Sequence, residues 1–183
     1  KFSKKHGIKI GTIADLIEYR SKKEKLIKKI SEEELSTEFG MMKLIVYSDL
    51  LSKNTHLAFV KGTIKKDDEV IVRVHEPLSI LDFVSKETPH SWPPLKALKK
   101  ISDEKNGVVI FLNYNESQNN ITSKLNHENI TLKKSTDLRS YGIGSQILVD
   151  IGVSKMKLLA APRKMPSMAG YGLQVTEFIE NNM

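Results

Sequence analysis

Three observations in the sequence predict an α+β, mixed α/β domain. Apolar-rich runs separated by polar turns fill the first half. One short run, "GVVIFL", is apolar throughout and reads as a buried strand. From Thr136 onward, helical periodicity alternates with strand-like segments. No internal repeat is visible.

"TIADLIEYR" has Ile13, Leu16 and Ile17 at helical spacing behind Thr12, which suits an N-cap. The lysine-rich "SKKEKLIKKI" follows. Residues 1–20 read as the tail of a preceding domain, 21–28 as a basic connector and 29–183 as the main domain. Strands begin from Leu26. "MMKLIVYSD" and "HLAFVKGTI" flank the turn "LLSKNT", and the Asp67–Asp68 pair marks the turn before "EVIVRVH". "PPLKALKKISDEKNG" predicts a helix with proline at its start, Leu95, Leu98 and Ile101 on one face, and Gly107 as its stop. "NYNESQNNITSKLNHEN" is polar and reads as a loop with a weak helix. "DLRSYGIGSQILVDIG" is helical, with Ile143, Ile147 and Ile151 stacked. "KMKLLA" and "YGLQVTEFI" are the last strands, the second following a turn at Gly170.

With 183 residues, 39% hydrophobic and 28% charged, the chain can bury one core. No apolar run approaches the roughly 20 residues of a membrane span, so no membrane partner is expected. The absence of cysteine removes disulfides, thiol nucleophiles and cysteine-held zinc, and fits a cytoplasmic protein. The Asn-x-Ser/Thr triplets at Asn115, Asn120 and Asn129 are then chance matches. The net charge of +7 sits entirely on residues 1–30, which hold ten Lys/Arg against three Asp/Glu. The rest is balanced, so a nucleic-acid partner is not expected.

Arg73 and His75 lie on one side of their strand by alternation, with Glu76 beside them. They suit either an anion site with Arg73 as a bidentate fork or an ordinary cluster of charges at a strand end. The histidines His6, His56, His75, His90 and His127 make no metal-ligand spacing. No phosphate-binding P-loop and no nucleophile elbow occur. Gly142 and Gly144 allow close helix packing. Trp92 suits a buried loop anchor, and Met165 and Met168 suit gap-fillers in a core. Asp82, Asp137, Glu116 and Glu128 are scattered oxygen donors.

Several of these segments together resemble the GTP cyclohydrolase II family of riboflavin biosynthesis. They are "HLAFVKGTI" with "VIVRVHE", "KNGVVIFL", "DLRSYGIGSQILVDIGVSKMKLL" and "PRKMPSMAGYGLQVTE". The resemblance covers about residues 26–180 and implies a GTP cyclohydrolase II-like fold. "KHGIKIGTIADLIEYR" resembles the end of 3,4-dihydroxy-2-butanone-4-phosphate synthase, which many bacteria fuse ahead of such a domain. The chain therefore resembles the C-terminal part of that fusion, with the synthase's magnesium site upstream. By resemblance, Asp137 and Arg139 occupy catalytic positions, Arg73, His75 and Glu76 the nucleotide-contacting run without its serine, and Lys164 a phosphate contact whose neighbouring threonine is lost.

The family's three zinc cysteines have no counterpart: "EPLSILDFVSKETPHSWPPL" replaces that loop, with Pro77 where the first ligand belongs. "NYNESQNN" replaces its Glu-Gly-Arg loop. Zinc would lower the pKa of a bound water from about 15.7 to about 7. Without its ligands no hydroxide of that strength forms, and Asp137 and Arg139 are expected to be vestigial. The expectation is a non-catalytic domain serving the fused synthase in assembly or regulation, with no cofactor of its own. It would form a homodimer by resemblance. A nucleotide- or phosphate-sensing domain is the alternative, and metal-independent or magnesium-assisted chemistry a third.

Overall fold

The structure is a computed structural model that describes residues 2–76, 79–84, 92–114, 137–165 and 168–181. Its elements run α1 (Phe2–His6), α2 (Ile13–Lys23), β1 (Ile27–Thr37), β2 (Gly40–Asp49), β3 (Thr55–Lys61) and β4 (Glu69–His75). After these come α3 (Leu81–Val84), α4 (Pro94–Ser102), β5 (Gly107–Phe111), α5 (Asp137–Ile151), β6 (Lys155–Leu159) and β7 (Gln174–Ile179). A 3₁₀ turn, Met168–Tyr171, precedes β7.

All strands join one seven-stranded sheet in the order β1-β2-β3-β5-β4-β6-β7. The pairs β1–β2, β2–β3 and β3–β5 are antiparallel, whereas β4 is parallel to both β5 and β6, and β6 to β7. The C-terminal ends of β4, β5, β6 and β7 therefore point to one edge, where side chains from distant segments meet.

Helices cover both faces of the centre. Val70, Val72, Val108 and Ile110 face Ile143, Ile147 and Leu148 of α5. Ile71, Val109 and Phe111 face Ala97, Leu98 and Ile101 of α4. With a core on each side, β5 is buried at every position, which is why its sequence is apolar without alternation. Each fully buried aliphatic side chain contributes about 1.5–3 kcal/mol. The mixed α/β class and the order of strands and helices agree with the sequence reading.

The sequence reading of α4 needs two corrections. Its buried stripe is Pro94, Ala97, Leu98 and Ile101, and Leu95 is 41% exposed. The helix stops at Ser102, so Gly107 instead opens β5. There a Cβ would stand 2.7 Å from the Ile101 side chain. Gly62 has φ +72°, and a Cβ there would collide with the Lys105 carbonyl oxygen.

Thr12 caps α2 as expected, forming a reciprocal capping box with Asp15. Across the expected connector at 21–28, α2 runs to Lys23 and β1 begins at Ile27. The short link between them is fastened to the body. The Gln146 side-chain amide donates to the Glu24 carbonyl at 2.8 Å, and its oxygen accepts from the Leu26 N–H at 2.8 Å. Leu26 sits in the notch left by Gly142, where a Cβ would meet the Tyr171 hydroxyl at 3.0 Å and Leu26 Cδ1 at 3.2 Å. The expected close packing at the glycine pair is thus present.

Among the described residues, no helix is long and apolar enough to cross a membrane. The loop predicted after Tyr114 lies outside the described residues.

Candidate functional site

The C-terminal edge of the parallel strands gathers most of the singled-out residues. On β4, Ile71, Arg73 and His75 point to the α4 face, so alternation placed Arg73 and His75 correctly on one side. Arg73 is only 6% exposed. Its Nη1 donates to the Leu159 carbonyl at the end of β6, at 2.8 Å. Its Nε, also buried, meets no acceptor among the described residues. Burial holds the guanidinium well below its ordinary value, at about 10; the charge of Arg163 adds to this and Asp82 opposes it.

His75 is fully buried and forms a pair with Asp82, Nε2 to Oδ2, at 2.9 Å. The same carboxylate oxygen accepts from the Ser79 N–H at 2.9 Å, which anchors the start of α3. Phe111 packs edge-on against the imidazole, with centroids 6.0 Å apart. Asp82 thus belongs to this cluster as a partner of His75. Its carboxylate seven residues downstream gave no local signal, because the turn that returns it is tertiary.

Arg163 was not singled out in the sequence. It lies exposed on the loop after β6, with its Cζ 5.6 Å from the centroid of the Tyr141 ring. Lys164 follows it, also exposed, and Glu76 is partly buried at the end of β4. Asp137 opens α5 and Arg139 lies in its first turn, but their side chains are outside the described residues. Glu116, Glu128 and His90 are outside them as well.

Trp92 is the expected anchor: it is 7% exposed and donates Nε1–H to the Ile179 carbonyl at 2.8 Å. Met168 fills the core beneath α5, with Met165 packed against it. His56 is buried and accepts from the Asn113 N–H through Nδ1 at 3.2 Å. Tyr114 stacks edge-on against that ring and donates to Ser140 Oγ at 3.0 Å, tying the end of β5 to α5.

The site does not fit a thiolate-held zinc ion. The chain has no thiol, and among the described residues no three His, Asp or Glu side chains cluster as metal ligands. His75 directs Nε2 at a carboxylate that a backbone amide also engages. What the edge offers is positive charge: a buried guanidinium whose Nε meets no acceptor among the described residues, beside the basic loop of Arg163 and Lys164.

A mixed sheet with this site at its parallel edge defines the class, and sequence comparison agrees. A family model described as GTP cyclohydrolase II matches residues 28–180. The chain belongs to the GTP cyclohydrolase II family. Its curated relatives are riboflavin-biosynthesis proteins. A 3,4-dihydroxy-2-butanone 4-phosphate synthase of Neisseria meningitidis serogroup B is 42% identical over 98% of this chain. The riboflavin biosynthesis protein RibBA of Aquifex aeolicus is 38% identical over 97% of it. Among solved structures, RibBX, a two-domain 3,4-dihydroxy-2-butanone 4-phosphate synthase from A. baumannii, superposes with a TM-score of 0.62 and 31% identity over 98% of the chain. The chain spans about half the length of these relatives: 50%, 47% and 48%.

Proposed function

We propose that this is a GTP cyclohydrolase II-like domain that no longer opens the guanine ring and serves a 3,4-dihydroxy-2-butanone 4-phosphate synthase in the same polypeptide, by assembly or regulation. The observation that carries this reading is the donor set. The scaffold and the Asp137–Arg139 motif remain, but no thiol exists to hold the metal that generates hydroxide at neutral pH. The pairing with a synthase rests on the relatives' names and on their twofold greater length. The deciding assay is formate release from GTP with zinc supplied. Turnover at a typical enzymatic rate, on the order of 1 s⁻¹ or more, sinks the reading.

The buried, under-bonded Arg73 supports a second reading, in which the domain senses a phosphate compound without transforming it. Arg73, Arg163 and Lys164 would hold the anion, and His75 and Glu76 would shape its surroundings. Calorimetric titration with GTP, GDP, flavin mononucleotide and ribulose 5-phosphate tests it. No heat from any of them removes this reading and leaves the first intact.

A further inference from the structure

Arg73 and Arg163 bring their guanidinium groups to the candidate anion edge, and they are held differently. Arg73 is fixed in place: it is buried, and its Nη1 is bound to the Leu159 carbonyl. Arg163 is exposed on the loop after β6 and has no carboxylate partner among the described residues. Its guanidinium lies instead over the Tyr141 ring, with Cζ 5.6 Å from the centroid. The charge of Arg163 reaches Arg73, adding to the cost of keeping that buried group protonated. An anion between the two would relieve this repulsion.

The ring is a stationary support. Its neighbours in α5 are both tied down. Ser140 is buried and accepts a hydrogen bond from the Tyr114 hydroxyl at 3.0 Å. Gly142 packs so closely that a Cβ would stand 3.0 Å from the Tyr171 hydroxyl and 3.2 Å from Leu26 Cδ1. Tyr141 itself is half-buried and packs, like Met165, against the core beneath α5. An exposed arginine on a loop otherwise loses much rotamer freedom when it binds a ligand. A guanidinium resting on an aromatic face has given up part of that freedom already. Its N–H donors lie in its own plane, so the contact leaves them free to grip an anion.

We infer that Tyr141 is a positioning residue for a phosphate-binding site: its ring holds Arg163 in advance at the edge where Arg73 is buried, without touching the anion itself. This rests on the phosphate-sensing reading and adds to it a residue that acts through another.

The test is calorimetric titration of the full chain with inorganic pyrophosphate. Tyr141→Leu is expected to weaken binding about twofold to fivefold, the range of an exposed cation–π contact. Tyr141→Phe keeps the ring and is expected to match the wild type. In an Arg163→Met background the Tyr141→Leu change is expected to cost nothing further, which a merely structural role would not produce. A measurement on the wild type needs no variant to fold: by NMR the Arg163 side-chain protons should carry an upfield ring-current shift that persists when pyrophosphate saturates the site. No heat from the wild type removes the phosphate-sensing reading and this inference with it. Heat with an unweakened Tyr141→Leu removes this inference alone. So does an equal loss in the Arg163→Met background, a Tyr141→Phe variant as weak as Tyr141→Leu, or a ring-current shift that is absent or vanishes on binding.

Discussion

Arg73→Met replaces a buried cation with an apolar side chain of similar reach. The drop of the guanidinium from its ordinary value to about 10 corresponds to roughly 3 kcal/mol of cost for the charged form in the fold. Truncation also loses the bond to the Leu159 carbonyl, worth about 1–2 kcal/mol. The balance predicts a variant more stable by about 1–2 kcal/mol, a rise in Tm of a few degrees for a chain of this size. The alkaline limb supplies a second signature. With its pKa lowered to about 10, Arg73 is expected to shed its proton in the fold before it does in the unfolded chain, so wild-type stability gains with rising pH above about pH 10. The variant lacks that gain. Calorimetric unfolding of both proteins, with and without inorganic pyrophosphate, reads all three effects, and the anion is expected to stabilise the wild type more. A variant less stable than wild type by 1 kcal/mol or more would refute the reasoning. Arg73 would then be a structural residue whose surroundings repay its burial.

Asp82→Ala removes the partner of His75 and the acceptor of the Ser79 amide; urea denaturation should show a loss of about 2–3 kcal/mol. Gly62→Ala combines a positive φ with a Cβ pressed onto the Lys105 carbonyl, so a loss of about 2 kcal/mol or more is expected in the same assay. Gln146→Leu breaks both bonds to the α2–β1 link; hydrogen exchange should accelerate at Leu26, with about 1–2 kcal/mol lost globally. Zinc in excess should leave Tm unchanged, because an ion bound to the folded state alone would raise it by mass action; a rise of several degrees would contradict the donor-set argument.

Much of the sheet was legible because each strand writes its burial into its own residues. β5 is apolar at every position since helices cover both its faces, and α5 announced itself through Ile143 and Ile147. What was not legible depends on distant partners. Leu95 and Leu98 are both apolar and three residues apart, yet only the second faces the sheet, because α4 docks along Pro94, Ala97 and Ile101. The lysines around the α2–β1 link suggested a basic connector; its fastening comes from Gln146, more than a hundred positions away. At the site, alternation alone put Arg73 beside His75. The approach of Arg163 and the return of Asp82 required the β6 loop and the α3 turn to be in place.

The Gln146 clamp also has a bearing on biosynthesis. It closes a span of 120 residues between Leu26 and α5, so during translation the start of β1 emerges long before its fastener. Until α5 leaves the ribosome the nascent β1–β2 ribbon has no anchor at its base, and a long-range closure of this kind is intrinsically late. Folding intermediates are therefore most exposed to premature association at this edge strand.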